Sequence, residues 1–200
     1  MVMKTSTTYI IKKIDFYIFV NIELINITTM NTKYFCSKCK HSNNAAENGH
    51  LECLVYAHEN GWPWGEWTCA YAAENGHLEC LKYAHANGCE WKRRTCAYAA
   101  KNGHLDCLVY AHENGCEWDK NTCTRAAAKG QLECLTYAHA NGCPWDEETC
   151  KYAAKNGQLE CLVYAHVNGC EWDEYTCVYA AQKWSSRLSQ ICTHERMPMG

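Results

Sequence analysis

The sequence has no excess of positive charge. Its 19 lysines and arginines are set against 22 aspartates and glutamates, which gives a formal net charge of −3 at pH 7. A protein that binds nucleic acid presents a basic face to the phosphates. Lys92, Arg93 and Arg94 form one basic cluster, but the corresponding residues 119–121 and 146–148 are neutral overall or acidic. No basic stripe therefore runs along the chain, and nucleic acid is not expected as a partner.

The sequence also lacks a long, uninterrupted apolar run. Lys12, Lys13 and Asp15 interrupt the apolar stretch near the start, whereas a membrane-spanning helix needs about 20 mostly apolar residues. We therefore predict neither a membrane span nor a signal peptide. Residues 1–41 form an isoleucine-rich N-terminal segment, interpreted either as a cap on the rest of the chain or as poorly ordered. Because Met30 is an alternative start, residues 1–29 are not assigned to the folded protein.

Nothing in the sequence is typical of an active site. The glycines stand singly, so there is no glycine-rich loop of the kind that binds phosphate. A nucleophilic cysteine needs its own base and orienting group, but here each spacing between a cysteine and a histidine is copied along the chain. A spacing that is repeated in every unit indicates that these cysteines and histidines have a packing role. We predict no enzyme activity and no cofactor.

What the sequence does contain is a unit of 27 residues, seen most clearly from Gly142 to Asn168. Three residue types show the step at equivalent positions: Trp64, Trp91, Trp118, Trp145 and Trp172; Cys53, Cys80, Cys107, Cys134 and Cys161; His58, His85, His112, His139 and His166. Self-similarity at a fixed period is typical of proteins built from stacked repeats.

The first half of the unit predicts a short helix. Asp146 is suited to its N-cap, because its carboxylate can accept backbone N–H groups of the first turn. Trp145 lies just before the cap and can pack on Cys150 as a hydrophobic staple. Asn156 and Gly157 follow the helix and suit the left-handed backbone of a C-cap.

The second half predicts another short helix, from about Gln158 to Val167. Leu159, Leu162 and Val163 are spaced for one broad buried face, and the histidine near the end can bond the last carbonyls. Helices of this length are marginal alone, since about 12–15 residues are needed even for good helix formers. Copies of the unit must therefore stack to bury their apolar faces.

The stretch T-C-x-Y-A-A-x-N-G-H-L-E-C-L-x-Y-A-H-x-N-G resembles an ankyrin repeat. The resemblance implies an all-α, ankyrin-like solenoid of about five stacked helix-turn-helix repeats over residues 42–183, followed by a degenerate C-terminal cap and tail at 184–200. The unit is shorter than the ankyrin repeat of about 33 residues, and most of the deficit lies between Gly142 and Thr149. Long β-hairpin fingers are therefore not expected. Short repeats rich in Cys and Trp also resemble those of ankyrin-type proteins in large DNA viruses of protists.

Seventeen cysteines would suggest a disulfide framework in a small secreted chain. Here they recur at positions expected in a helical core, where a thiol behaves as a small apolar side chain. We predict reduced thiols and an intracellular, cytoplasmic protein, in the host cytoplasm if the origin is viral. The alternative is a protein whose Cys- and His-rich repeats respond to thiol chemistry or zinc.

Cys36 and Cys39, followed by His41, have the spacing of zinc ligands. No second cysteine pair follows at the spacing of a zinc finger, so these three residues are weak candidates, and no metal is predicted. The competing interpretation is a surface turn that leads into a first helix at residues 42–48.

The positions that differ between copies point to a function. In the first helix of each unit they carry aromatic and charged side chains, and in ankyrin-like stacks this helix lines the concave side. Trp, Tyr and Arg most often dominate interface energy. We therefore predict a monomeric, non-enzymatic scaffold that binds an unidentified partner protein on this face. Its candidate contacts are Glu66, Trp67, Tyr71, Arg93, Arg94, Tyr98, Lys120, Arg125, Lys151, Tyr152 and Tyr175.

Overall fold

The computed structural model describes residue 39, residues 41–65 and residues 67–184. Most of the isoleucine-rich segment, Cys36, Glu66 and the predicted C-terminal tail beyond Trp184 lie outside the described residues. Within the described ranges there are eleven helices and no strand. They form five pairs and one further helix: α1 Ser42–Glu47 with α2 Leu51–Glu59, α3 Thr68–Glu74 with α4 Leu78–Ala86, α5 Arg93–Asn102 with α6 Leu105–Glu113, α7 Lys120–Lys129 with α8 Leu132–Ala140, α9 Glu147–Asn156 with α10 Leu159–Val167, and α11 Glu174–Trp184. The predicted all-α solenoid without hairpin fingers is confirmed.

The helix ends agree with the expected cap chemistry. The carboxylate of Asp146 accepts a hydrogen bond from the backbone N–H of Glu148 at 3.2 Å and so begins α9. Gly157 ends the same helix with a φ of +75°, in the left-handed region. The capping aspartate is also found at the start of α7, as Asp119, and the left-handed glycine recurs in all five units. The same pair of helices therefore forms again along the chain.

The first helices of the pairs form one layer and the second helices another. Successive first helices, α3 on α5 and α5 on α7 among them, pack closely, whereas successive second helices touch much less. The layer of first helices is therefore the more closely packed of the two.

The core lies between the two layers. Each second helix buries one leucine completely; these are Leu54, Leu81, Leu108, Leu135 and Leu162. The first helices contribute pairs of small residues such as Ala99 and Ala100, both 0% exposed. Small side chains at the contact allow helix axes to approach closely, which explains why the first layer is the tighter one.

The buried face of the second helix is narrower than the sequence predicts. In α10, Leu162 and Ala165 are fully buried, but Leu159 is 39% exposed and Val163 is 43% exposed. The earlier counterparts Leu105 and Leu132 pack partly against the core. Only the residues of the second helix that face the first helix directly are covered by it. The spacing of apolar residues therefore predicts more buried residues than the structure contains.

The cysteines of the second helices are buried, as predicted, and are not disulfide-bonded: Cys53, Cys80, Cys107, Cys134 and Cys161. The linker cysteines have a different role. The Sγ of Cys143 donates to the carbonyl oxygen of Asp119 at 3.3 Å, and that of Cys170 donates to Asp146 at 3.2 Å. Each thiol therefore ties the end of a helix pair back to the N-cap of that pair.

A stacked group of three rings joins successive pairs. His112 in α6 stacks on Trp118 of the next linker, with ring centroids 3.7 Å apart and planes 9° from parallel. Tyr137 in α8 meets His112 edge-on, and its hydroxyl lies 3.2 Å from Nδ1 of His112. The prediction that this histidine bonds the last carbonyls of its own helix is wrong, because the tyrosine of the next pair takes the ring nitrogen. Trp145 likewise stacks on His139, a contact absent from the predicted staple.

Replacing Gly76 with alanine is expected to destabilise the array by about 2–3 kcal/mol. Gly76 has a φ of +75°, and a Cβ there would lie 2.9 Å from Cγ of His104 in the next pair and closer still to other ring atoms. Gly88 is the matched control, because it has a φ of +86° with open space around it. Gly88→Ala should cost only about 1 kcal/mol, the strain of the left-handed backbone. Urea unfolding measures both variants, and equal losses in the free energy of unfolding would contradict this account.

Candidate partner-binding surface

The candidate contacts predicted from the sequence lie on or at the start of the first helices, apart from Glu66, which is outside the described residues. Trp67 is the N-cap of α3, and Tyr71 lies within that helix. The others are arranged in order along the layer: Arg93, Arg94 and Tyr98 on α5, Lys120 and Arg125 on α7, Lys151 and Tyr152 on α9, and Tyr175 on α11. All of them therefore belong to the layer of first helices.

Most of these side chains take part in a series of separate cation–aromatic contacts along the first helices. The guanidinium of Arg94 lies 5.1 Å from the ring centroid of Trp67, one pair back. One pair further on, the guanidinium of Arg125 lies 5.5 Å from the ring of Tyr98. Contacts of this kind are electrostatically attractive within about 6 Å. They link neighbouring first helices and hold the two arginine heads against aromatic faces.

The series continues to the last described helix. Nζ of Lys151 lies 5.2 Å from the ring of Tyr175, and Nζ of Lys155 lies 5.9 Å from Tyr152 and 6.0 Å from Tyr179. We call the whole set the cation–aromatic row; its members are Trp67, Tyr71, Arg94, Tyr98, Lys101, Arg125, Lys151, Tyr152, Lys155, Tyr175 and Tyr179. Sequence reasoning missed Lys101, Lys155 and Tyr179. The two lysines come three residues after a tyrosine, which is the helical spacing that could have revealed them.

Arg93 and Lys120 belong to a different part of the surface. Arg93 pairs with Glu117 of the following linker at 3.2 Å, with both side chains exposed. A cleft of about 560 Å³ lies there, between the linkers around Gly88 and Gly115. Lys120 bonds Asp146 at 2.6 Å, and this hydrogen bond raises the pKa of Lys120. These two cations therefore lie at the linker edge, beside the cation–aromatic row.

Only some of the cations in the cation–aromatic row are paired with carboxylates. Lys101 pairs with Glu74 at 3.4 Å and Lys151 with Asp173 at 3.8 Å. Among the described residues, no carboxylate lies within ion-pair distance of Arg94, Arg125 or Lys155. The row thus offers aromatic faces together with positive charge that its described neighbours do not neutralise.

The weak zinc candidates are separated by the structure. Cys39 lies beside His50, with Sγ 3.1 Å from Nδ1, and the two are grouped with Cys53. His41 is exposed at the N-cap of α1 and is not part of that group. Cys36 lies outside the described residues. His50 and Cys53 are therefore functional candidates that the sequence analysis did not single out.

No helix among the described residues is long and apolar enough to cross a membrane.

Comparison with known proteins identifies the repeats. Residues 44–85 and 69–112 match the family model of ankyrin repeats (many copies). Among solved structures, the chain is similar to the ankyrin repeat domain of human ASB11, with a TM-score of 0.59 and 17% sequence identity over 70% of this chain and 76% of that one. No curated protein sequence matches significantly. Residues 44–112 therefore match ankyrin repeats, which are generally protein–protein interaction modules, and the chain has the fold of an ankyrin repeat domain.

Proposed function

We propose that this chain is a non-enzymatic scaffold that binds a partner protein across the first helices of successive repeats. The cation–aromatic row carries the proposal, because it extends along one layer from Trp67 to Tyr179. A curved stack of repeats suits an extended partner surface better than a small ligand. The residues at the linker edge, Arg93 and Lys120, flank the row and complete the candidate surface.

The row occupies positions that the fold leaves free to change. The aligned positions of Trp67 hold Arg94, Asn121, Glu148 and Tyr175 in the later units. By contrast, the stacked tryptophans and histidines that join the pairs are the same in every copy. Variation on a repeated scaffold is what a surface fitted to one particular partner requires.

The contacts within the row also favour binding. Ring and cation hold one another in place, so less side-chain freedom remains to be lost when a partner docks. Arg94 and Arg125 would then present their remaining donors to carboxylates, which a guanidinium bonds in a planar, bidentate way. The partner surface that fits best carries acidic groups beside apolar ones.

We place the protein as a monomer in the cytoplasm. The linker thiols donate to backbone carbonyls, and the thiols of the second helices fill the core. Oxidation to disulfides would remove both roles, so the fold is suited to a reducing compartment.

The test is a set of three variants compared by affinity capture with quantitative mass spectrometry, followed by calorimetry with the purified partner. Trp67→Ala with Arg94→Glu should weaken binding by about 30-fold or more, since this change removes an aromatic anchor and reverses a charge. Arg93→Glu probes the linker edge. Lys82→Glu is the control, because Lys82 lies on second helix α4 and pairs only with Glu79 of the same helix among the described residues.

All three variants should first be shown to keep their helicity and melting temperature. A partner that is lost with the double variant and kept with Lys82→Glu supports the proposed surface. A partner that the double variant binds with undiminished affinity contradicts it, whatever Arg93→Glu does.

A further inference from the structure

A group of potential metal ligands lies at the N-terminal end of the described array. Sγ of Cys39 is 3.1 Å from Nδ1 of His50. The sulfur of Cys53 completes the group, in which the three ligand atoms all lie within 4.8 Å of one another. Both cysteines are buried and neither is disulfide-bonded. Two thiols and an imidazole converging on one point are the ligand types that Zn²⁺ prefers.

The later repeats show what His50 and Cys53 would do without Cys39. His77 and Cys80 occupy the same positions one unit on, but the ring of His77 packs against Gly49 of the preceding unit, and its Nε2 lies 3.2 Å from the carbonyl oxygen of Glu47. No group of three ligands forms there or elsewhere among the described residues. The convergence at Cys39 is therefore particular to the first unit.

We propose that Cys39, His50 and Cys53 bind a zinc ion at the start of the repeat array. Zinc–sulfur and zinc–nitrogen bonds of about 2.3 and 2.0 Å put tetrahedral ligand atoms about 3.5–3.8 Å apart. The longest separation, at most 4.8 Å, needs to close by only about 1 Å, and Cys39 Sγ and His50 Nδ1, now 3.1 Å apart, need to open slightly to reach this geometry. On binding, the two thiols release their protons to solvent and His50 coordinates through its neutral Nδ1.

Two of the three ligands lie at the start of α2. Cys53 is the third residue of that helix, and His50 is its N-cap. The bound ion would tie the backbone at residue 39 to the start of α2.

Two of the three ligands are hidden in the sequence. His50 and Cys53 are separated by the two-residue gap of zinc-binding pairs. They resemble ordinary members of the repeat, and the pair is His with Cys rather than two cysteines.

The experiment measures zinc in the full chain after reductive purification from zinc-supplemented medium and dialysis against metal-free buffer. We expect one zinc per chain, lost in Cys39→Ser and His50→Gln. Glutamine is a safe replacement for the fold, because the chain carries Gln131 and Gln158 at the positions corresponding to His50. His77→Gln and Cys80→Ser are the matched controls one unit further on, and both should keep the metal.

Cobalt substitution gives a second readout. Co²⁺ added to the metal-free chain should show the visible bands of tetrahedral coordination and the charge-transfer band of thiolate ligands, with the charge-transfer band weaker in Cys39→Ser. Zinc-free wild-type protein would overturn the proposal, and so would zinc that survives His50→Gln in a variant of unchanged helicity. A charge-transfer band unchanged by Cys39→Ser would overturn the assignment of Cys39 as a ligand.

Discussion

Replacing Leu108 with alanine is expected to lower the free energy of unfolding by about 3–5 kcal/mol. Leu108 is 0% exposed and lies in α6, in the third of five helix pairs. The substitution removes apolar surface from water-free packing and leaves a cavity that rigid neighbouring helices cannot collapse. For a chain of this size the melting temperature should fall by about 10 °C.

The position within the array increases the effect. In a stack of repeats each pair contacts only its neighbours, so stability is close to a sum of pair and interface terms. A weakened third pair separates the pairs on either side, whereas a weakened end pair can fray alone. Leu162→Ala, in the fifth pair, should therefore broaden the unfolding transition less than Leu108→Ala.

The control for Leu108→Ala is its neighbour Val109. Val109 is only partly buried, so Val109→Ala should cost about 1 kcal/mol or less. Urea unfolding monitored by circular dichroism measures both. A loss below about 1.5 kcal/mol for Leu108→Ala, or equal losses for the two variants, would show that the leucine ladder is not the core of the array.

The helix pairs could be predicted from the sequence because their signals are local. Asp146 at an N-cap and Gly157 at a left-handed C-cap act within one turn of the backbone, and both are found where expected. Because the unit recurs every 27 residues, a helix pair that is predicted correctly in one unit is also predicted in the other units. The resemblance to viral repeats is not tested by the structure and stays a prediction.

Contacts between units were harder to predict, because nothing in one unit shows which copy of a neighbour it meets. His112 was assigned to its own helix end, whereas its ring lies between Trp118 and Tyr137. The exposed positions of Leu159 and Val163 have a similar cause. Spacing along a helix shows which residues share a face, but the partner helix decides how much of that face is covered.

The candidate sites show the same division. Variable positions on the first helices identified most of the cation–aromatic row, because comparison of the repeat copies shows which positions differ between them. The convergence of Cys39 with His50 and Cys53 could not be read in this way. It depends on the fold bringing the segment before α1 against the start of α2, and the repeated pattern conceals two of the three ligands.

Raising the pH from about 9 to 11 is expected to lower the free energy of unfolding of the array. Burial raises the pKa of Cys80, Cys107 and Cys161 to about 11 and that of Cys134 to about 12, against an ordinary value of 9.0. A hydrogen bond with Cys116 and then burial also raise the pKa of Cys96. In each case the folded state holds the neutral thiol, because the core cannot solvate a thiolate.

The sign of the pH dependence is set by proton binding. Between about pH 9 and 11 the folded state keeps thiol protons that the unfolded chain has released, so stability falls as the pH rises. The stabilisation that the neutral, buried thiols contribute is fully present below about pH 9 and is lost as the pH approaches their pKa in the folded state. Each pKa unit corresponds to about 1.4 kcal/mol, so each second-helix thiol whose pKa is raised makes the array less stable as the pH rises through this range.

The measurement is urea unfolding in a phosphine reductant at several pH values, with thiolate absorbance recorded in parallel. Thiolate should appear together with the loss of helicity instead of titrating within the folded protein. Cys107→Ala provides the control for other alkaline titrations such as those of tyrosine and lysine. Removing one buried thiol should reduce the slope of the unfolding free energy against pH by about 1 kcal/mol per pH unit near pH 10. A wild-type stability that is flat over this range, or a Cys107→Ala slope equal to that of the wild type, would show that burial of these thiols does not control the alkaline limit.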